Sequence, residues 1–198
     1  MSRAFIKEND LEHAGIDIPE RPISSEKNYV TPTGLENLKN TLNELDKERQ
    51  FLIAAEESLA KEGSDIDFTL GYPGKEELSV NNSNINQQKM RIERDIRYIS
   101  ARLKSAILVD PLFQNKNIIL FSANIEILSA GNKKYQFEIV GEDEANIKEN
   151  KISYVSPLAK LLIGSQINDE VIWNKPSGNE ILTITNIYYC GQTKADHL

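Results

Sequence analysis

Three features of this 198-residue sequence predict an α+β chain, with a long antiparallel helical hairpin followed by a small sheet domain. Leucines and isoleucines recur at alternating three- and four-residue steps in two consecutive stretches. A Gly71-Tyr72-Pro73-Gly74 break separates the stretches. After Pro111 the apolar period shifts from helical to strand-like.

The first helix opens at Thr31-Pro32-Thr33-Gly34-Leu35-Glu36, where either Thr31 caps with Pro32 in the first turn or Thr33 and Glu36 form a capping box. Leu35, Leu38, Leu42, Leu45, Leu52 and Leu59 then mark a seam of about four heptads, with Arg49 and Glu56 filling the gaps. On the far side of the turn the spacing returns at Ile85, Ile92, Ile96, Ile99, Leu103 and Ala106, with Lys89 in one slot. Two such arms, each roughly 40 Å or longer at about 1.5 Å per residue, form a coiled-coil hairpin. The competing arrangement, a compact bundle, lacks a third long amphipathic helix.

Val109-Asp110-Pro111 stops the second helix. Strands are predicted at 118–121, 124–128, 135–140, 151–155, 170–173 and 180–189. Turns fall at Ala130-Gly131-Asn132 and Pro176-Ser177-Gly178-Asn179, and one short helix starts at Pro157. Phe137, Ile139, Val155, Val171, Trp173, Ile184 and Ile187 read as core, and Cys190 as a small buried or edge residue. The expected organisation is an arm over 1–28, a hairpin over 29–110, a sheet domain over 111–190 and a polar tail over 191–198.

Composition limits the chemistry. Two histidines and one cysteine leave almost no material for His/Cys metal sites or Cys-His and Ser-His catalysis. Any metal chemistry falls to carboxylates. A net charge of −7 argues against coating nucleic acid by bulk electrostatics, though it leaves room for a local basic face. No apolar run approaches the ~18 residues of a membrane span. The N-terminal MSRAFIKENDLEH lacks a signal-peptide core, and a lone cysteine fits a reducing compartment. The expected location is cytoplasmic.

Several blocks carry a family resemblance. YVTPTGLENL (29–38) and ARLKSAILVDP (101–111) are similar to the two ends of the coiled coil in bacterial Gre transcript-cleavage factors. FEIVGEDEAN (137–146), KISYVSPLAKLLIG (151–164), NDEVIW (168–173) and PSG (176–178) resemble that family's second domain more closely still. The resemblance spans about residues 29 to 189 and leaves 1–28 without a known module. It implies an FKBP-like C-terminal domain that binds RNA polymerase at the rim of the secondary channel. It also implies a coiled coil that enters the channel. Acidic tip residues there help hold the second catalytic Mg²⁺ and its attacking water, so that the polymerase cleaves the extruded 3′ end of backtracked RNA. The factor is then an accessory, not the nuclease, with no tightly bound cofactor and a shared Mg²⁺. A monomer is expected. An FKBP-like fold alone does not confer prolyl isomerase activity.

Residue by residue, Asp65 falls on the family's tip aspartate, and Glu76, with Glu77 second, lies nearest its tip glutamate. Asp67 is a further tip acid. Asp65 and Glu76 are the metal-holding candidates. About ten residues, including Ile66, Phe68, Leu70, Tyr72 and Pro73, separate the two acids, and the family's following motif is not recognisable. Three readings therefore stand: the tip supplies cleavage chemistry, it occupies the channel and modulates the polymerase without chemistry, or its acids are solvated turn residues. On the second helix Lys89, Arg91, Arg94 and Arg97, followed by Arg102 and Lys104, match a basic patch that the family is thought to turn toward the extruded RNA. They equally suit a solvated face with pairs such as Glu93–Arg97. For polymerase docking the resemblance points to Glu142, Asp143, Glu144, Ser156 and Pro157.

Overall fold

The computed structural model describes residues 18–64, 74–175 and 178–190. Helix α1 (Pro32–Ser64) and helix α2 (Gly74–Ser105) run 33 and 32 residues. At about 1.5 Å per residue each is roughly 50 Å long. The seam residues bury as their spacing requires: Leu52, Ile92 and Ile99 are buried, and Leu42, Leu45, Ile85 and Ile96 half-buried. Thr31 is the cap of α1. Its hydroxyl accepts from the Gly34 amide at 2.9 Å and its carbonyl from the Leu35 amide at 2.9 Å, so the Thr31-Pro32 start is realised rather than the Thr33–Glu36 box.

Contacts divide the chain into two units, Met1–Ile23 with Asn40–Ala101, and Ser24–Lys39 with Arg102–Leu198. The first turns of α1 and the end of α2 thus belong with the sheet domain. Within this second unit the chain enters on strand β1 (Tyr29–Val30), which pairs in parallel with β2 (Ile107–Leu108). The sequence reading carried α2 on to Val109. Instead the helix ends at Ser105, because the amides of Ile107 and Val109 bond to the carbonyls of Asn28 and Val30 at 2.8 and 3.0 Å. The Tyr29 ring meets Tyr154 edge-on at 5.5 Å, which seats β1 against the domain.

The remaining strands, β3 (Ala123–Ser129), β4 (Lys134–Val140), β5 (Lys151–Ser153), β6 (Glu170–Lys175) and β7 (Gly178–Tyr189), form one sheet in the order β5-β4-β3-β7-β6. Its pairs are antiparallel except β4 with β5. A bulge leaves Thr185 between the pairs Glu126↔Asn186 and Ile127↔Ile184. Leu182 and Ile184 on one side of it, and Ile187 and Tyr189 on the other, all stay buried because the bulge absorbs the change of phase. Helix α3 (Pro157–Leu162), capped by Ser156, covers this face with Leu158, Ala159 and Leu162. Ile139 is fully buried, while Phe137, Val155, Val171 and Trp173 are half-buried and Cys190 is exposed.

One expected strand does not form. Residues 118–121 make a single bridge, Ile118↔Gln166. The Tyr189 hydroxyl takes the place of further ladder partners, donating to the Ile118 carbonyl at 2.7 Å and accepting from the Leu120 amide at 3.0 Å. No helix among the described residues is long and apolar enough to cross a membrane.

Candidate functional site

Three of the acids near the expected tip fall in the helical turns on either side of residues 65–73. Glu62 lies in the last turn of α1, and Glu76 and Glu77 lie in the first turn of α2. A helix N-terminus favours carboxylates whatever else they do. Asp65 and Asp67 lie outside the described residues. Among the described residues no group of three or more His, Cys, Asp or Glu side chains comes together in a way that could hold a metal ion.

The basic face of α2 is substantially paired. The Lys89 ammonium donates to Glu56 at 2.6 Å. Arg94 donates to the neighbouring Asp95 at 2.9 and 3.1 Å. Arg97 donates through Nε to Glu20 at 3.1 Å, a bond that raises its already high pKa. Beside it the Arg21 guanidinium lies 3.7 Å over the Tyr98 ring and 3.6 Å from Asp95. Residues 20 and 21 of the arm are therefore docked along α2, an arrangement with no local sequence signal. Arg91 is exposed and makes no ion pair among the described residues.

Arg102 has a different fate. Its side chain is buried, donating from Nε to Asp143 at 2.5 Å and from Nη2 to Glu142 at 3.2 Å. Its carbonyl accepts from the side-chain Nδ2 of buried Asn28 at 2.7 Å. Glu144 accepts from the Thr31 amide at 3.0 Å, from the Thr31 hydroxyl, and from the Gly141 amide at 3.3 Å. The three consecutive acids, expected at a docking surface, thus tie the start of α1 and the end of α2 to the loop after β4. Ser156 caps α3 through a 3.2 Å bond from the Ala159 amide, and Pro157 occupies the exposed first helical position. The spacing of Arg102, three residues past the seam residue Ile99, was a signal for its inward direction. Nothing local marked its partners.

A cleft within the second unit lies beside this clamp, lined by Thr31, Asp110, Glu138, Glu144, Glu149 and Lys151 among others. Partial burial pushes the Glu138 carboxyl up. Lys151 opposes the shift, and Glu144 and Glu149 reinforce it.

Two long helices forming a hairpin, with acids in the helical turns on either side of residues 65–73, joined to a mixed five-stranded sheet, define a two-part α+β protein. Residues 114–189 match the model of the family described as transcription elongation factor, GreA/GreB, C-term. Transcription elongation factor GreB of Neisseria meningitidis serogroup A is 34% identical over 167 residues, covering 82% of this chain and 94% of its own. GreA of Nautilia profundicola is 32% identical over 164 residues, covering 82% and 95%. A solved structure of GreA factor homolog 1 of Thermus thermophilus covers 82% of this chain and 99% of that one at 21% identity, with a TM-score of 0.35, a superposition too loose to argue from. The chain belongs to the GreA/GreB family of transcription elongation factors.

Proposed function

We infer that this elongation factor acts on backtracked RNA polymerase, with its hairpin in the secondary channel and its tip acids beside the catalytic metals. The observation that carries the reading is a hairpin of two helices of 33 and 32 residues with acids in the helical turns nearest its tip, in a chain of this family. Mg²⁺ keeps several waters and takes only one or two carboxylates from a given protein. A contribution of that size fits Asp65 with Glu76, with Asp67 and Glu77 as neighbours. When shared with the polymerase, the metal orients the attacking water and stabilises the leaving oxygen. The chain's own residues supply carboxylate oxygens at the tip and a rigid arm that holds them there. Arg91, exposed on α2, is available to an RNA phosphate.

The apolar residues between Asp65 and Glu76 favour a second reading, in which the tip fills the channel and slows the polymerase without chemistry. Stalled, backtracked elongation complexes with Mg²⁺ separate the two. Transcript shortening on adding the protein is expected, and slowed elongation with no shortening would establish the second reading. The double substitution Asp65→Ala with Glu76→Ala should abolish the stimulated cleavage while leaving polymerase binding intact. Unchanged cleavage would show that other acids carry it.

A further inference from the structure

We propose that Glu20 and Arg21 close a single-stranded RNA site on α2, built from Arg97 and Tyr98, and that RNA displaces them. The inference rests on the RNA-contacting part of the reading above. The arm segment and this stretch of α2 fall within one unit. In Ile18-Pro19-Glu20-Arg21-Pro22 each proline fixes its own φ and pushes the residue before it toward extended backbone. The segment forms neither helix nor strand, and its place on α2 comes from side chains.

Those side chains touch what a nucleotide would touch. Arg97 donates to one Glu20 carboxylate oxygen from Nε at 3.1 Å and also from Nη2. That edge of a guanidinium takes carboxylate and phosphate oxygens alike. The Arg21 guanidinium covers the Tyr98 ring at 3.7 Å, the flat face on which a base stacks when single strands are bound without sequence preference. Arg21 also lies 3.6 Å from Asp95, which Arg94 contacts at 2.9 Å. The arm thus sets an anion on the phosphate-binding cation and a cation on the stacking ring. Exposed Arg91 stands seven residues before Tyr98 on the same stripe of α2, about two turns away, so the site continues from the phosphate contact given to Arg91 above.

The contacts are built to exchange. The side chains of Glu20, Arg97 and Arg21 are 63%, 56% and 42% exposed. Ion pairs and cation–π contacts in such positions are weak, and a strand carrying several phosphates outcompetes them. A strap whose task was stability would bury its apolar residues, whereas Pro19, Pro22 and Ile23 stay exposed.

The test is fluorescence anisotropy of a short labelled oligouridine RNA with the full chain over a range of salt concentrations. Glu20→Gln with Arg21→Gln removes one charge of each sign, so the net charge stays at −7 and bulk electrostatics are unchanged. This variant should bind roughly 3- to 10-fold tighter than the parent. Its salt dependence should steepen by about 0.7 in log–log slope, the value of one added phosphate contact on a single strand. In the same background Arg97→Gln should return the affinity to the parent's, and Tyr98→Leu should remove part of the gain. In the parent, Arg97→Gln should change little. A double variant that binds no tighter than the parent, or no measurable binding by either, overturns the masking role. Weaker binding would make Arg21 a contact in its own right and overturns it too. Tighter binding that survives Arg97→Gln overturns the site. No polymerase enters this assay, so a failure to stimulate transcript cleavage would remove the function proposed above and leave the binding result standing.

Discussion

Lys89 and Arg102 stand on the same helix and both meet carboxylates, yet they do opposite kinds of work. The Lys89–Glu56 pair is half-exposed and belongs to the hairpin unit, while Arg102 is buried in the unit that holds the sheet. A cation that keeps access to water can lose its partner at little cost, so the pair contributes little to stability. A cation stripped of water cannot lose its partner cheaply, because the carboxylates left behind are themselves largely buried. The comparison warns against reading a stripe of Lys and Arg on one helix as one surface.

The strongest way to break the comparison is to remove Arg102. Arg102→Met keeps much of the side-chain volume and strands Asp143 and Glu142, whose side chains are 15% and 23% exposed. A loss of about 3–5 kcal/mol is expected. The corresponding change at Lys89 should cost no more than about 1 kcal/mol. Urea unfolding of the two variants side by side checks this, and equal losses would show that burial is not what separates the two sites.

A smaller effect, with an unusual sign, is expected at Gly34. In most helix interiors alanine is better than glycine by about 1 kcal/mol. Here a Cβ would fall inside the space of the Glu144 carboxyl group. That group is held by the Thr31 and Gly141 amides and the Thr31 hydroxyl, so it cannot yield without losing them. Gly34→Ala should therefore destabilise by about 1–3 kcal/mol. Gly131→Ala, whose Cβ would meet only the Ser129 hydroxyl at 3.7 Å, serves as the control. A stabilising Gly34→Ala would mean that the clamp around Glu144 is looser than its bonds imply.

What the sequence made legible follows from how far apart the interacting residues lie. The Thr31-Pro32 helix start, the Leu and Ile seams, and α3 beginning at Pro157 are written in short-range spacing, and each appears where that spacing puts it. The β1–β2 pair, the docking of Glu20 and Arg21 on α2, and the clamp depend on partners about 40 to 113 residues away in the case of Arg102 and Thr31. No periodicity encodes such distances. The Ile118–Phe121 segment misled for a related reason. It has the composition of a strand, but the hydroxyl of distant Tyr189 satisfies part of its backbone. As for the site, local pattern located the break between the two helices, whereas the roles of Asp65 and Glu76 came only from resemblance to the family.

The finest test of what burial does near the base concerns a carboxylate with no arginine to neutralise it. Glu138 on β4 faces Lys151, its register partner, yet burial dominates and Glu144 and Glu149 add repulsion, so its pKa lies above the ordinary glutamate value. A raised folded-state pKa means that the stability this group contributes is fully present below its unfolded pKa. That contribution is lost as the pH rises through the folded value. Glu138→Gln removes the ionisation and with it the loss. The variant should therefore gain stability relative to the parent on going from about pH 4, near the unfolded glutamate value, to about pH 7. The change is expected to be the smallest of the three, because Lys151 already offsets part of the charge. Urea midpoints of both proteins at the two pH values measure it. A variant that instead falls behind the parent at neutral pH would show the Lys151 attraction outweighing burial, making this acid a second, weaker counterpart of the clamp.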